Sequence, residues 1–237
     1  MNSGASVTRA VLAALARFRG ADRLYSLTLD AAPAELVVER WHGWEALSAG
    51  YEWWVDALSV DAHLPLHDLI GEPATLWTRT AGGGRLPRSG LVREAGCVGS
   101  DGGLARYRLC LVPWTWLLTQ GRHSRVFQER GVLEILGTVL TGYTPWAAWQ
   151  LSDEVGPFLE GAVRRSYCVQ YRESDFDFVS RLLAEEGLGW RIEEDPDAAA
   201  HPLDELPRDV QPEPDAAHAD DRPGRGHPPG GRRWPGS

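Results

Sequence analysis

The sequence predicts a mainly β protein with a few short helices, its strands antiparallel and closing into a barrel or sandwich. Three observations carry this. Apolar residues alternate with polar ones over at least six short stretches between residues 23 and 112. These stretches recur at roughly ten-residue spacing with glycine-rich or polar breaks between them. Only two stretches after residue 112 switch to a helical period.

The elements follow in chain order. Residues 1–22 are a lead-in with weak helical character, Val7, Val11, Leu12 and Leu15 sharing one face. At 23–30 the pattern becomes period two: Tyr25, Leu27 and Leu29 point one way, Ser26 and Thr28 the other. Further strands are expected at 36–42, 51–60, 74–80, 90–94 and 104–112. In the last, Ala105, Tyr107, Leu109 and Leu111 face inward while Arg106 and Arg108 face out. The Gly82–Gly83–Gly84 run and the glycines between 99 and 103 supply the left-handed backbone that tight hairpin connections demand. A first helix at 132–140 places Val132, Ile135, Leu136, Val139 and Leu140 on one stripe, with Gly142 as its stop. A second begins after Ser174, where Ser174 and Asp177 form an S-x-x-D variant of the capping box. Its buried stripe is Phe178, Val179, Leu182 and Leu183; Asp177, Arg181 and Glu185 lie on the wet side, and Gly187 ends it. Strands at 163–171 and 188–193 flank that helix as a tight β–helix–β unit.

Composition narrows the function classes. Of 237 residues 43% are hydrophobic, enough for a sizeable core, and the net charge is −9. All 24 basic residues are arginine. An acidic chain does not attract a phosphate backbone, so no nucleic-acid partner is expected. The apolar stretch at 11–16 is broken by Arg17 and Arg19, too short to span a bilayer and without a signal-peptide pattern. Synthesis in the cytoplasm is therefore expected. Cys97, Cys110 and Cys168 include no C-x-x-C pair and read as small buried apolar residues. Residues 196–237 hold nine of the sixteen prolines and few large apolar side chains, so this tail is expected to be disordered.

Catalytic chemistry finds little support. His63 and His67 are four apart, but Pro65 lies between them and no third metal ligand is evident. His123 and Ser124 are adjacent, a placement in which a base and a nucleophile rarely meet, and no G-x-S-x-G elbow is present. Glu185–Glu186 and Glu193–Glu194–Asp195 could supply acid–base carboxylates but read as solvated faces. The glycine run at 82–84 has no following Gly-Lys-Ser/Thr, so it is no phosphate cradle. No enzyme, cofactor or metal site is expected. The eleven tryptophans admit two readings: a sugar-stacking surface, or core plus subunit interface.

One stretch carries a sharper signal. Residues 165–190 read Arg-Ser-Tyr-Cys-Val-Gln-Tyr-Arg-Glu-Ser-Asp-Phe-Asp-Phe-Val-Ser-Arg-Leu-Leu-Ala-Glu-Glu-Gly-Leu-Gly-Trp. Within it stand Gln170, Tyr171, Arg172, Glu173, Ser174, Asp175, Phe178, Arg181, Leu182, Glu185, Glu186 and Gly187. This run strongly resembles the VgrG family (the Rhs/Vgr group), the trimeric spike proteins of bacterial type VI secretion. Upstream, 114–119, 124–128 and 132–135 match the same family in order and spacing. The resemblance covers about 23–195 and implies antiparallel β-barrel-like modules of the phage tail hub type, two of them and incomplete. It further implies a non-catalytic homotrimeric base that docks on the Hcp tube protein, carries effectors or adaptors, helps puncture target membranes, and is exported without a signal peptide. The family continues through more of the hub and a long needle. Here the tail departs from it and resembles out-of-frame translation, so a truncated, weakly self-associating copy is expected. The other readings are a Trp-rich carbohydrate-binding module and a non-functional truncated copy.

Overall fold

The computed structural model describes residues 23–100 and 103–194, and everything structural below concerns those residues. The expected lead-in helix and the expected disordered tail lie outside them. Six strands form one antiparallel sheet: β1 (Tyr25–Thr28), β2 (Val37–Ala46), β3 (Gly50–Ser59), β4 (Pro73–Arg79), β5 (Arg85–Ser100) and β6 (Ala105–Val112). Their order is β1-β4-β5-β6-β3-β2. Bulges at Val38/Arg40, Val92/Glu94 and Cys97/Gly99 add local twist. The sheet curls into a half-barrel whose two edges approach. Arg23 donates to the Val38 carbonyl at 3.0 Å, and the Tyr25 and Trp41 rings meet edge to face at 6.0 Å.

The alternation read from the sequence describes this sheet well. Val55, Ala57, Leu109, Leu111 and Tyr107 fill its concave side, and Tyr107 satisfies its hydroxyl by donating to the Asp61 carbonyl and accepting from the Leu64 amide. Arg106 and Arg108 face out as expected. They are held there by ion pairs with Glu39 and Asp56. Two strands run further than expected. β2 continues four residues past His42 along β3, and β5 spans sixteen residues along β4 and β6, because cross-strand pairing extends through polar positions that carry no hydrophobic alternation. The glycine run makes the β4–β5 turn as expected, with Gly83 at φ +84°.

A second, smaller unit follows. After a 3₁₀ turn at Trp114–Thr119, β7 (Arg122–Phe127) pairs antiparallel with β8 (Cys168–Ser174). Between them lie α1 (Val132–Thr141) and the short α2 (Val155–Phe158), and α3 (Asp175–Glu185) follows β8 directly. A separate core gathers Leu118, Ile135, Leu136, Val139, Phe178 and Leu182. The stripe expected on α1 is buried throughout, but Gly142 sits at φ −65° and uses none of a glycine's extra freedom.

Three expectations are corrected here. The strand expected at 163–171 begins only at Cys168. Arg164 and Arg165 instead turn to Glu134 and to Glu185 and Glu186, and Val163 is exposed. No strand forms at 188–193; that segment is an extended strap, described below. Cys97 is exposed, while Cys110 and Cys168 are buried as expected, and all three thiols are free.

Candidate functional site

The stretch singled out in the sequence folds as β8, α3 and the turn after it. Ser174 is the N-cap of α3: its hydroxyl accepts from the Asp177 amide at 3.0 Å and donates to the Asp177 carboxylate at 2.7 Å. Gly187 stands at φ +71°, the left-handed position that favours glycine after a helix. Phe178 and Leu182 are fully buried, whereas Leu183, expected on the buried stripe, is only half-buried.

Asp175 is the centre of the unit. It is 0% exposed and receives five donor contacts from four side chains. Gln170 Nε2 lies 2.6 Å and Arg125 Nη1 2.9 Å from Oδ1, with His123 Nδ1 also at 2.9 Å. The Tyr143 hydroxyl donates to Oδ2 at 2.7 Å, and Arg125 Nη2 reaches it at 3.3 Å. Burial pushes this carboxyl's pKa up, but the bonds from Gln170, Tyr143, His123 and Arg125 outweigh it and hold the group below the usual carboxylate range. Desolvation by the Tyr143 pocket and the bond to Asp175 in turn push the Tyr143 phenol well up. One residue thus ties β7, β8, α3 and the turn after α1 together.

The charged residues of the motif are likewise spent on packing. Arg165 grips Glu185 and Glu186, so the pair read as a solvated face is clamped by one guanidinium. Arg181 binds Glu173 at 2.6 Å and Glu185 at 3.2 Å. Tyr171 and Arg172 are the exceptions, and both are exposed. Arg172 is the extra residue of a bulge opposite His123 and Ser124, at φ +50°, and its guanidinium lies over the Tyr171 ring.

The candidate catalytic groups do not converge. His123 turns inward to Asp175, while the Ser124 hydroxyl accepts from the Arg172 amide on the outer face. His63 and His67 are exposed on the 61–69 connection, His67 beside Asp68. Among the described residues no group of three His, Cys, Asp or Glu side chains is placed to hold a metal. Of the 193–195 acids, Glu193 pairs with Arg191, Glu194 is part-buried against β5, and Asp195 lies outside the described residues.

The tryptophans divide. Trp53 joins the barrel core and Trp54 the opposite face, as adjacent strand positions must. Arginines cover several rings: Arg88 lies over Trp41 at 4.6 Å and Trp53 at 5.4 Å, Arg85 over Trp77 at 5.4 Å, Arg93 over Trp54 at 5.8 Å. A ring face already stacked by a guanidinium offers no free platform to a sugar.

A curled antiparallel half-barrel, joined to a small α/β unit whose motif charges, Arg172 apart, are held in internal ion pairs, defines a scaffold of the phage tail hub kind. The phage tail baseplate hub (GPD) family matches residues 44–219, and the chain belongs to that family. Its motif region is that of the N-terminal part of VgrG proteins. Relatives include the type VI secretion system spike protein VgrG1a of Pseudomonas aeruginosa, 34% identical over 166 residues that cover 70% of this chain and 25% of the relative. The actin cross-linking toxin VgrG1 of Vibrio cholerae is 33% identical over 180 residues, 69% of this chain and 15% of the toxin. The chain thus spans about a quarter or less of the curated relatives it matches. A solved structure of the E. coli c3393 protein shares the fold at TM-score 0.61 and 23% identity, covering 73% of this chain and 46% of its own. It is described as a type VI secretion component structurally similar to the T4 tail proteins gp27 and gp5.

Proposed function

We propose that this chain is hub material of a bacterial type VI secretion spike: three copies form a ring, the ring seats on the Hcp tube protein, and the chain performs no catalysis of its own. The observation that carries this reading is the family match along 44–219, laid on a fold shared with a type VI component. The electrostatics support it too. Perturbed carboxylates often mark active sites, but here Asp56 and Asp175 are held low by arginines and other donors in packed networks, and Glu185 by Arg165 and Arg181 on the helix surface, rather than in an open cleft. The same reading places synthesis in the cytoplasm, export through the type VI apparatus, and effectors or adaptors as further partners.

Sedimentation of the purified protein with and without purified Hcp, beside a glycan array, tests the proposal. Co-sedimentation with Hcp and a blank array are expected. Glycan binding without any Hcp association would overturn the reading in favour of a carbohydrate module.

A further inference from the structure

The segment after α3 returns to the first sheet. Leaving Gly187, the chain exchanges two bonds with the β2–β3 turn: the Ser48 amide donates to the Trp190 carbonyl at 2.8 Å, and the Trp190 amide to the Ser48 hydroxyl at 3.2 Å. Ser48 is held at φ +56° to do so. The Trp190 ring still touches Phe176 of α3, edge to face at 6.1 Å. Two residues on, Ile192 packs against the half-barrel core. At the end of the segment one Glu194 oxygen accepts the Ser89 amide of β5 at 2.7 Å. One strap of seven residues therefore runs from the second unit past the β2–β3 turn to β5 of the first.

The groups around Glu194 make this an unusual resting place for a carboxylate. β5 contributes the Ser89 amide and hydroxyl and the Arg88 guanidinium. β2 contributes a second acid, Glu45, and β3 the Tyr51 hydroxyl, which donates to the Ser89 carbonyl beside it. On the strap itself, Arg191 is paired with Glu193. Arg88 is not a dedicated counter-ion, since its guanidinium lies over Trp41 and Trp53 and reaches Thr78. Glu194 is thus part-buried, next to another acid, with one amide as its main donor.

We propose that 188–194 is a latch between the two units, closed by a proton on Glu194. A protonated carboxyl still accepts the Ser89 amide through its carbonyl oxygen, sheds the cost of a part-buried charge, and removes the repulsion from Glu45. Burial first, and Glu45 with it, raise the Glu194 pKa, against the lowering by Ser89 and Arg88. The sign follows from that direction. A group whose pKa is higher when docked than when free binds its proton more tightly in the docked state, so docking strengthens as pH falls and weakens as pH rises through the docked value. Closed, the latch couples the two cores.

Amide hydrogen exchange on the full chain at pH 5 and pH 7.5, expressed as protection factors so that the intrinsic rate change cancels, reads the latch through the Ser48 amide and the strap amides. In the wild type their protection is expected to rise severalfold at pH 5, while amides of β3 and β6 stay constant. Glu194→Gln, which fixes the neutral form, should give high protection at both values. Glu45→Gln should shrink the pH response without abolishing it. Equal wild-type protection at the two pH values, or a Glu194→Gln strap that responds as the wild type does, overturns the proposal.

Discussion

Asp175 occupies the first turn of α3, where a carboxylate already gains from the helix N-terminus, yet its donors come mostly from β7, β8 and the turn after α1. Replacing it by asparagine removes the charge that faces Arg125 and puts an N–H where one of the donors now points. Breaking a buried pair in this way costs about 3–5 kcal/mol, because the remaining charge is left uncompensated. Urea denaturation of Asp175→Asn should show a loss of that order, and a loss under about 1 kcal/mol would mean that the node is not what holds the second unit together. A second residue, Asp56, is built on cross-strand register. Arg40, Asp56 and Arg108 stand opposite one another on β2, β3 and β6, and the carboxylate between them is 2% exposed. The bond from Arg108 foremost, then that from Arg40, lowers its pKa from 3.8 to about 2 despite burial. A depressed folded value means that the stabilisation is complete above the unfolded pKa and disappears as pH falls toward 2; about two units correspond to about 2–3 kcal/mol. Stability measured between pH 5 and 2 should therefore fall more steeply in the wild type than in Asp56→Asn. Asp56 carries no mark in the sequence, and Asp175, although it stands in the motif, carries none of its role as a buried node. Apart from Gln170, five residues before Asp175, the partners lie 16 to 52 residues away, and only register or tertiary packing brings them together.

The strands and helices were legible where one side of the element meets an apolar core. That is why β1, β3, β4, β6, α1 and α3 stand close to where the alternation put them. β7 was missed for a physical reason: its inward positions are His123, Arg125 and Phe127, two of them polar because they serve Asp175, so Arg-His-Ser-Arg shows no hydrophobic period. The strand expected at 188–193 failed oppositely, since Leu188, Trp190 and Ile192 alternate but dock one by one on different elements rather than on a neighbouring strand. Helix α3 gives a graded test of face assignment. Leu182 is fully buried beside Phe178, Leu183 is half-buried, and Ser174 supplies a single cap bond. Leu182→Ala should cost about 2–5 kcal/mol, Leu183→Ala clearly less, and Ser174→Ala about 1 kcal/mol. Chemical denaturation that ranks Leu183 above Leu182 would contradict the packing described. Gly43 offers a sharper case on β2: a Cβ there would lie 2.1 Å from the Glu52 carbonyl oxygen and 2.4 Å from the Trp53 ring, so the indole can lie where it does only over a glycine.

At the scale of the molecule, the two apolar cores share no residue. Two stretches of chain join them: the run from Pro113 into the 3₁₀ turn, where Trp114 and Leu118 enter the second core, and the strap 188–194. The first is a covalent continuation between neighbouring elements, β6 and the 3₁₀ turn. The strap adds the Ser48–Trp190 exchange, the Trp190–Phe176 contact and the Ile192 packing, all long-range in sequence. If the strap carries the coupling, the units unfold together while it is docked and separately once it is loosened. Trp190→Ala with Ile192→Ala removes its two apolar anchors and leaves both cores, the Asp56 ladder and the Asp175 node intact. Calorimetry of the wild type should give one transition whose calorimetric and van't Hoff enthalpies agree. The double variant should split into two, the transition of the second unit shifted down further because its small sheet has only two strands and depends most on outside support. A single transition lowered as a whole would instead assign the coupling to the Pro113 side, and the strap would then contribute stability without joining the two halves.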